Sequence, residues 1–464
     1  MVGAGWAGLA AAVALTQAGH TVSVFEASRS LGGRARVAFT HHGQPLDNGQ
    51  HILVGAYSHT LALMRELGVD IDKALLRIPM TLLYPDGGGL LLPDWKQAWW
   101  SGLVKGADVA AGILRAKGWT WRDKLSLLRA ADAWRRSGFK CAANANVHTL
   151  CKGISPRVMQ DMVEPLVVSA LNTPPERASA QVFLTVMRDA LFAPAVGGIA
   201  GSNMLLPRVD LGALLPDAAA VLLAVKGGAL HTGSRVESLR FSEQGMTISR
   251  RHFAKNLQNT DNLAHSEPAN FDAVVLATPA WETARILRDA CKPALGASID
   301  PATASEVDAW CASAESLQHE AITTVYAYAE GARLPSPMLA LRSSAKQPAQ
   351  FVFDRGQLTG QAGLLAFVVS ASTGTAQAIE SQVIAQGRTE LGLKNLQAVK
   401  TIVEKRATFA CTPALQRPGV QIAPRTQPRL LACGDYTAGP YPATLEAAVR
   451  SGQLAALTCI AQLR

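Results

Sequence analysis

The sequence predicts an α/β protein in which helices pack on a parallel sheet. Three features predict this class: a glycine-rich turn at the amino terminus that leads into an alanine-rich helical segment, an apolar strand at Phe271–Pro279, and a strand at Leu430–Asp435 followed by a final helix. Near-continuous apolar strands that alternate with helices are typical of parallel sheets. At 464 residues the chain is too long for one compact core, so we expect two domains.

The first element is a glycine fingerprint of the form G-x-G-x-x-G at residues 3–8. Gly3 permits the tight turn, Gly5 lets the backbone approach a pyrophosphate, and Gly8 lets the helix pack closely on the sheet. A strand at Thr21–Phe25 follows and ends at Glu26, about 20 residues on, where a carboxylate accepts hydrogen bonds from ribose hydroxyls. The helix amino terminus offers free N–H groups to phosphates. This order of elements predicts a dinucleotide-binding βαβ unit.

The strand before this fingerprint is short. Only Met1 and Val2 precede Gly3, whereas a central strand of about five residues is typical. We therefore expect that translation starts further upstream or that the chain is a shortened form. An upstream reading frame that encodes an apolar strand would decide the matter.

A second motif, Gly32-Gly33-Arg34, follows Glu26 at short spacing. The two glycines let the chain pass close to a cofactor, and the guanidinium of Arg34 offers paired donors to a phosphate. Together with the fingerprint, this motif resembles the FAD-binding start of the amine oxidase and phytoene desaturase superfamily. The resemblance implies a Rossmann-type FAD-binding domain of the glutathione-reductase-like kind, with a second α+β substrate domain inserted.

The segment Asp47–Tyr57 reads D-N-G-Q-H-I-L-V-G-A-Y, and residues 171–180 read L-N-T-P-P-E-R-A-S-A. Both resemble the hydroxysqualene dehydroxylases, the squalene-associated FAD-dependent desaturases of that superfamily. The resemblance implies FAD-dependent reductive dehydroxylation of hydroxysqualene to squalene in hopanoid and isoprenoid biosynthesis. We expect His51 to supply or relay the proton that the leaving hydroxyl needs, with Asp47 and Tyr436 as weaker candidates. For Asp47, capping of a turn is an equally good interpretation.

The carboxyl-terminal motif completes the predicted cofactor site. Asp435 follows Gly434 at the end of a strand and can accept from the ribityl chain, and Thr444 lies near the start of a helix whose positive end would face the reduced flavin. In the superfamily the backbone at Val236 contacts adenine and the turn at Thr278 borders FAD. The residues expected to bind FAD are Gly3, Gly5, Trp6, Ala7, Gly8, Glu26, Gly33, Arg34, Gly49, Gln50, Val236, Thr278, Gly434, Asp435, Thr444 and Leu445.

These motifs place the cofactor domain in three separate stretches, 1–57, 205–285 and 406–464, and the substrate domain in 58–204 and 286–405. Periodicity predicts helices from Ser58 to about Arg77 and through 148–206. The segment 94–140 holds six of the nine tryptophans and many lysines and arginines, which predicts a helical membrane-surface element. A helical cap with a basic solvent face and the frame of an apolar tunnel are the alternatives.

Composition limits the other classes of function. The net charge is +9, but the charge is dispersed and no nucleic-acid-binding motif is present. The seven cysteines are scattered without a C-x-x-C pair, which favours reduced thiols in the cytoplasm and no metal site. The sequence contains no run of 18 apolar residues, so it predicts no membrane-spanning helix. We therefore expect a cytoplasmic protein that contacts the inner face of the membrane and takes a long apolar isoprenoid, with the enzymes that make hydroxysqualene as further partners.

Three other functions stay open. A carotenoid-type desaturase or isomerase, acting on a phytoene-like substrate, would share the fold and the apolar pocket. A flavin amine oxidase would need a small polar pocket with aromatic walls, for which Tyr436 and Tyr441 are available. A membrane-bound binding protein with a structural FAD would not exchange electrons with a substrate. The sequence does not identify the reductant of the flavin or an oligomeric state, and it has no second dinucleotide fingerprint.

Overall fold

The computed structural model describes residues 1–40, 43–93, 107–192, 197–242, 245–252, 269–292 and 299–463. The first part of the expected helical segment 94–140, which includes Trp95, Trp99 and Trp100, lies outside the described residues. Within the described ranges, no helix combines the length and the apolar character that crossing a membrane requires.

The described strands range from two to thirteen residues in length. They are β1 Ser23–Phe25, β2 Val37–Phe39, β3 Pro45–Asp47, β4 Leu53–Val54, β5 Leu75–Ile78, β6 Thr81–Leu83, β7 Gly89–Leu91, β8 Met204–Pro207, β9 Ala229–His231, β10 Ser234–Ser242, β11 Gly245–His252, β12 Ala269–Phe271, β13 Val274–Leu276, β14 His319–Tyr328, β15 Met338–Ala340, β16 Phe351–Asp354, β17 Leu364–Ser370, β18 Gln397–Phe409, β19 Gln421–Ala423 and β20 Gln427–Ala432.

The helices alternate with these strands and form a separate layer in the middle of the chain. They are α1 Trp6–Gln17, α2 Ser58–Glu66, α3 Ile71–Ala74, α4 Ala107–Arg115, α5 Trp121–Arg136, α6 Val147–Leu150, α7 Pro156–Val158, α8 Glu164–Leu171, α9 Ala180–Phe192, α10 Leu211–Leu214, α11 Pro216–Val225, α12 Ala280–Ala290, α13 Pro301–Glu315, α14 Arg355–Thr359, α15 Ala376–Glu390 and α16 Leu445–Leu463, with a π-helical turn at Met159–Val163 between α7 and α8.

A parallel sheet joins the two ends of the chain. β9 pairs with β1, and β13 pairs with β20, both in parallel. Val2 lies between these pairs, because it bridges Phe25 on one side and Leu276 on the other, again in parallel. β19 adds an antiparallel edge next to β20. The predicted buried strand is confirmed, since Val274, Val275 and Leu276 are all buried.

Apolar helices cover this sheet. α1 packs against α16 and α11, and α16 also contacts α2 and β20. The crossing of α1 and α16 is close, since a Cβ added at Gly452 would lie 2.1 Å from the carbonyl oxygen of Ala7. Small residues let two helix backbones approach in this way. The first helix of the chain and the last therefore form one packed unit.

The second large sheet has five strands in the order β15-β16-β17-β14-β18, and every pair is antiparallel. All seven residues of β17 are buried, as a central strand requires. The prediction that segments 323–328, 351–353 and 364–369 share one sheet is confirmed. The proposed domain boundaries stay a prediction, and a small sheet of β4, β8 and β5 combines strands from both predicted domains.

Two helix predictions are wrong at their carboxyl ends. The stretch from Ser58 to about Arg77 contains α2 and α3, but Leu75–Ile78 is the strand β5. The stretch through 148–206 ends in the strand β8, with which β5 pairs antiparallel. Short apolar runs fit a helix or a strand equally well by periodicity. Here the pairing of β5 with β8, which is distant in sequence, decides that both runs form strands.

The crossing of α1 and α16 can be tested with Gly452→Ala. We expect the added methyl group to push the helices apart and to lower the free energy of unfolding by about 1–3 kcal/mol, the usual cost of overpacking. Thermal denaturation would measure the change. Gly419→Ala is the control, because its Cβ would meet nothing closer than 3.9 Å. Equal melting temperatures for the two variants would contradict the close packing.

Candidate FAD site

The carboxyl ends of the parallel strands define the site. Glu26 follows β1, Thr278 follows β13 by two residues, and Asp435 follows β20 by three. Because β1, Val2, β13 and β20 run parallel, these residues lie along one edge of the sheet. Open α/β sheets bind their ligands in the crevice outside this edge. The structure thus brings the amino-terminal and carboxyl-terminal motifs to the same edge.

The glycine turn is compact enough to exclude side chains. Gly3 has a φ of +104°, and a Cβ there would lie 2.7 Å from the carbonyl oxygen of Ala277. A Cβ at Gly8 would lie 2.1 Å from the carbonyl oxygen of Gly3, and one at Gly33 would lie 3.1 Å from the Cα of Gly5. The second motif therefore packs directly on the fingerprint, and the expected approach of its two glycines to a cofactor stays a prediction.

The amino terminus of α1 is available to an anion. Gly5 is the N-cap residue, no side chain caps the helix, and its first turn contains no acidic residue. Uncapped N–H groups and the helix dipole together favour negative charge. Trp6 and Ala7 start this helix, and the indole N–H of Trp6 donates to the carbonyl oxygen of Ala35 at 3.3 Å. The indole therefore anchors the turn, and the main chain is left to bind a phosphate.

Glu26 organises the turn from the neighbouring strand. Its Oε2 accepts from the N–H of Ala4 at 2.7 Å, and its Oε1 accepts from the N–H of Ser28 at 2.7 Å. The carboxylate thus connects the glycine fingerprint to the end of β1. Each oxygen retains a further lone pair for a ribose hydroxyl.

Arg34 and Asp435 join the two motifs that lie furthest apart in the sequence. Nη2 of Arg34 lies 2.5 Å from Oδ1 of Asp435, and Nη1 of Arg34 donates to the carbonyl oxygen of Ala407. Burial opposes the charge of Arg34, but Asp435 together with Glu404 and Tyr436 outweighs this effect, and the pKa of Arg34 is raised. A permanent cation and a carboxylate therefore face each other at the edge of the sheet.

The remaining predicted FAD residues are spread along the same region. Val236 is a buried residue of β10 that pairs with Arg250. The hydroxyl of Thr278 lies 2.7 Å from that of Thr283. Thr444 caps α16, since its Oγ1 accepts from the N–H of Ala447 at 3.1 Å, and Leu445 is the first residue of that helix. A second helix amino terminus is thus placed after the Gly434-Asp435 turn.

The segment Asp47–His51 is held by residues of the antiparallel five-stranded sheet and of the helix α14 that follows β16. Gly49 has a φ of +99°, a conformation that glycine adopts without strain. The carbonyl oxygen of Asp47 accepts from the hydroxyl of Tyr326 on β14 at 2.9 Å, and Gln50 Oε1 accepts from Arg355 at 3.1 Å. The loop is therefore fixed at two positions, one on each side of Gly49 in sequence.

His51 is half-buried and keeps one ring nitrogen free of protein partners in the described residues. Nδ1 lies 3.3 Å from the carbonyl oxygen of Gly49, and Nε2 has no recorded partner. Burial lowers the pKa of His51, while the nearby Asp47 opposes this shift. The protonated imidazole in this setting releases its proton more readily than usual, and Nε2 is available for proton transfer.

Asp47 is fully engaged by the protein. Its side chain is 1% exposed, Oδ2 lies 3.1 Å from Nη1 of Arg355, and Oδ1 accepts from the N–H of Leu211 at 3.0 Å. Burial raises the pKa of Asp47, and Arg355 together with the Leu211 N–H acts against that shift. The contact with Leu211 satisfies the first N–H of α10, so the carboxylate serves as a helix cap.

Tyr436 directly follows the Gly434-Asp435 turn. Its ring is 4% exposed, and its hydroxyl lies 3.2 Å from that of Thr283. Burial raises the pKa of the Tyr436 phenol, which makes it a weak acid. The structure therefore brings His51 and Asp47 into one segment, and it joins Tyr436 to Thr283 of α12.

Two residues of the site were not predicted from the sequence. Arg355 binds Asp47 and Gln50 across 308 and 305 positions of sequence. Glu446 is 1% exposed, and it accepts from the main-chain N–H groups of His59 and Thr60 and from the Thr60 hydroxyl. Arg355 belongs to no local motif. Glu446 directly follows Thr444 and Leu445 in the predicted start of the last helix, but the motif assigns no role to its side chain.

The residues at the sheet edge fit an FAD molecule. An uncapped helix amino terminus, a turn too tight for side chains and a carboxylate at the end of β1 suit a pyrophosphate and its ribose. The fold and site define an FAD-dependent oxidoreductase of the α/β class.

Comparison with known proteins agrees with this class. The family model described as "Flavin containing amine oxidoreductase" matches residues 6–460, and the chain belongs to that family. The match spans both sheets and the helical layer, and FAD is the cofactor.

The individual proteins that are similar to this chain match it over different lengths. The chain is 28% identical to a hydroxysqualene dehydroxylase of Rhodopseudomonas palustris, over 98% of this chain and 96% of that protein. It is 34% identical to a zeta-carotene desaturase of Zea mays, but over only 15% of this chain and 12% of that protein. An oxidoreductase structure from Methanosarcina mazei covers 98% of both chains with a TM-score of 0.68 and 16% identity, which shows the shared fold.

The role of Glu26 can be tested with Glu26→Gln. The Glu26 carboxylate accepts hydrogen bonds from two main-chain N–H groups, and in the variant one of them would face an amide NH2 instead of an oxygen. Because a charged hydrogen bond is lost, we expect FAD to bind at least about tenfold more weakly. Titration of the apoprotein, followed by flavin fluorescence, measures the dissociation constant. Glu66→Gln on the exposed end of α2 is the matched control. An unchanged affinity in Glu26→Gln would remove Glu26 from the site.

Proposed function

We propose that this protein reduces hydroxysqualene to squalene with FAD as its redox cofactor. The observation that carries the proposal is the similarity to the Rhodopseudomonas palustris dehydroxylase, which covers the sheet edge, the 47–57 segment and the helical layer together. The similarity to a zeta-carotene desaturase covers a short stretch only, so a carotenoid-type desaturase is less well supported. A family member that oxidises amines is the remaining alternative.

The reaction replaces a hydroxyl group with hydrogen. The allylic C–O bond breaks with its electron pair on oxygen, and that oxygen takes up a proton. Water departs, and a delocalised carbocation remains. Reduced FAD, when bound, supplies the hydride that forms the new C–H bond. The protein must therefore provide one proton, hold the allylic carbon in place and exclude bulk water from the cation.

His51 is the proposed proton donor or relay. The free Nε2 is available to the leaving hydroxyl, and the contact of Nδ1 with Gly49 fixes the ring. Asp47 is less suited, because Arg355 and the Leu211 N–H occupy its oxygens. Tyr436 is less suited because burial raises its pKa and its hydroxyl is paired with Thr283. The lowered pKa of His51 favours proton release to the substrate.

The substrate is proposed to be a long apolar isoprenoid. The helical layer formed by α4, α5, α8 and α9 encloses a cavity with an almost wholly apolar lining that includes Ile113, Leu127, Trp134, Phe183 and Met187. The space measures about 30 Å³, comparable with the volume of one water molecule in the liquid. This cavity is too small for a hydrocarbon chain unless the helices separate.

One helix connects this apolar layer to the predicted flavin side. Met187 and Leu191 of α9 line the cavity, and on the same helix Oδ2 of Asp189 accepts from the hydroxyl of Tyr441 at 2.9 Å. Tyr441 lies in the loop between Asp435 and Thr444. A chain bound in the helical layer would therefore end close to the carboxyl-terminal motif. We also propose that the substrate arrives from the enzyme that makes hydroxysqualene, because a long hydrocarbon chain dissolves poorly in water.

A single-turnover experiment tests the proposed function. The holoenzyme is photoreduced without oxygen and mixed with hydroxysqualene, and the return of oxidised flavin absorbance is followed while the extract is analysed by mass spectrometry. We expect reoxidation with squalene as the product. Reduced flavin that stays reduced would reject the function and favour a binding protein. Oxidised enzyme that instead turns over phytoene or an amine would identify the desaturase or amine oxidase alternative.

In the same assay His51→Ala should lower the rate by at least about a hundredfold, the lower range for loss of a general acid. FAD content should be unchanged. In the unsubstituted enzyme, activity requires protonated His51, so the rate should fall as pH rises through a value below the usual histidine pKa, since burial lowers it. His59→Ala, at an exposed position of α2, is the control. Full turnover by His51→Ala with bound FAD would exclude this role.

We further propose that the surface formed by Leu114, Trp121, Arg122, Lys124 and Leu125 contacts an anionic membrane. Trp121 is 68% exposed, and Leu114 and Leu125 are 44% and 45% exposed. Lys124 Nζ donates to the carbonyl oxygen of Leu114 at 2.7 Å and lies 5.3 Å from the centre of the Trp121 ring. Exposed apolar side chains among basic ones are typical of interfacial helices.

Sedimentation with vesicles of mixed anionic and zwitterionic lipids tests this surface. Replacing Trp121 and Leu125 together with alanine should weaken binding by at least about tenfold, since burial of one such side chain contributes about 1.5–3 kcal/mol. The matched control replaces Val221 and Val225, which are 63% and 78% exposed on α11. Equal sedimentation of both variants and the unsubstituted protein would contradict the proposal.

A further inference from the structure

A buried arginine lies behind the segment that carries His51. Arg355 is 3% exposed, and its Nη1 lies 3.1 Å from Oδ2 of Asp47 and 3.1 Å from Oε1 of Gln50. Arginine is rarely buried so completely unless it is paired. Taking both charges out of water costs several kcal/mol per ion, and apolar pairs of similar volume are often at least as stable. Stability alone therefore gives no reason for a charged pair at this position.

The fold leaves Arg355 little freedom. It is the first residue of α14, and Asp354 caps that helix by accepting from the N–H of Gln357 at 3.1 Å. Nε of Arg355 lies 3.2 Å from Oε1 of Gln361, whose amide donates to the carbonyl oxygen of Pro45 at 3.1 Å. The guanidinium is thus held from one side by α14 and its loop, and it presents Nη1 to the 47–50 segment.

The same guanidinium nitrogen binds residues on both sides of Gly49. Asp47 precedes the glycine and Gln50 follows it, directly before His51. Gly49 has a φ of +99°, so the turn between the two contacts is sharp. One nitrogen therefore fixes the geometry of the turn, and the turn sets the direction of the His51 ring through the contact of Nδ1 with the carbonyl oxygen of Gly49.

We propose that Arg355 is a positioning residue for the reaction. It holds Asp47 and Gln50 and thereby sets the orientation of the His51 ring, and it neutralises the charge of the Asp47 carboxylate near that ring. This inference rests on the proposed role of His51. Arg355 touches neither His51 nor, in this proposal, the reacting atoms. It acts through the two side chains it binds.

The charges around His51 determine what removal of Arg355 should do. Asp47 favours the protonated imidazole and Arg34 disfavours it. Asp47 itself is influenced by Arg355, by the Leu211 N–H, by His51 and by Asp210. Without Arg355, the carboxylate of Asp47 loses its cation while it remains near the imidazole. The protonated imidazole then becomes more stable.

The test follows the titration of His51 in the oxidised holoenzyme by NMR, with the signal assigned by its absence from His51→Gln. Arg355→Met should raise the midpoint by about one pH unit, the lower range for the effect of a nearby opposite charge. The double variant Asp47→Asn with Arg355→Met should bring the midpoint back to the original value or below it. Arg355→Lys should stay near the original value.

The single-turnover rate with hydroxysqualene is measured on the same variants. We expect a loss of at least about tenfold in Arg355→Met with little change in the substrate concentration at half-maximal rate, and partial recovery in Arg355→Lys. A melting temperature that falls while the His51 midpoint and the rate stay unchanged would overturn the inference and leave a structural role only. If Arg355→Met is not folded, the double variant, which leaves no unpaired charge, must show the loss of rate. Failure of the unsubstituted enzyme to turn over would instead reject the proposed function, since the NMR titration does not depend on it.

Discussion

The crossing of α1 and α16 is the contact on which the rest of the structure depends. Gly452 lies against the backbone of Ala7, within the glycine fingerprint itself. This contact brings the last helix onto the first one, and β20 then completes the sheet that Val2 and β13 begin. Everything that the site needs from the carboxyl terminus, including Asp435 and the capped start of α16, reaches the sheet edge because these two backbones pack without side chains between them.

The site combines two kinds of polar group with different functions. At the sheet edge, main-chain N–H groups of α1 and the side chains of Glu26 and Arg34 suit a charged dinucleotide. Further along, the 47–51 segment offers a half-buried imidazole with one free nitrogen, backed by an ion pair of Asp47 and Arg355. We propose that the first group binds and orients the cofactor, and that the second group transfers a proton in surroundings that lower the pKa of His51. The proposed reaction needs both groups.

The sequence predicted the local parts of this arrangement and missed the distant ones. The glycine turn, Glu26, the buried strand β13 and the start of α16 were predicted because each is a short motif with a single physical reason. Arg355 was missed because its partners lie about 300 residues away, and Glu446 because its partners are the main-chain N–H groups of α2. Periodicity predicts helix where the structure has β5 and β8, because an apolar run acquires its conformation from the strand that pairs with it.

Hydrogen exchange on the apoprotein, measured with and without FAD, tests the central claim most directly. If both chain ends surround one FAD molecule, saturating cofactor should slow exchange in peptides from residues 1–30 and from residues 430–450 together, with the same half-saturating concentration. Protection confined to one end, or absent from both, would contradict the account.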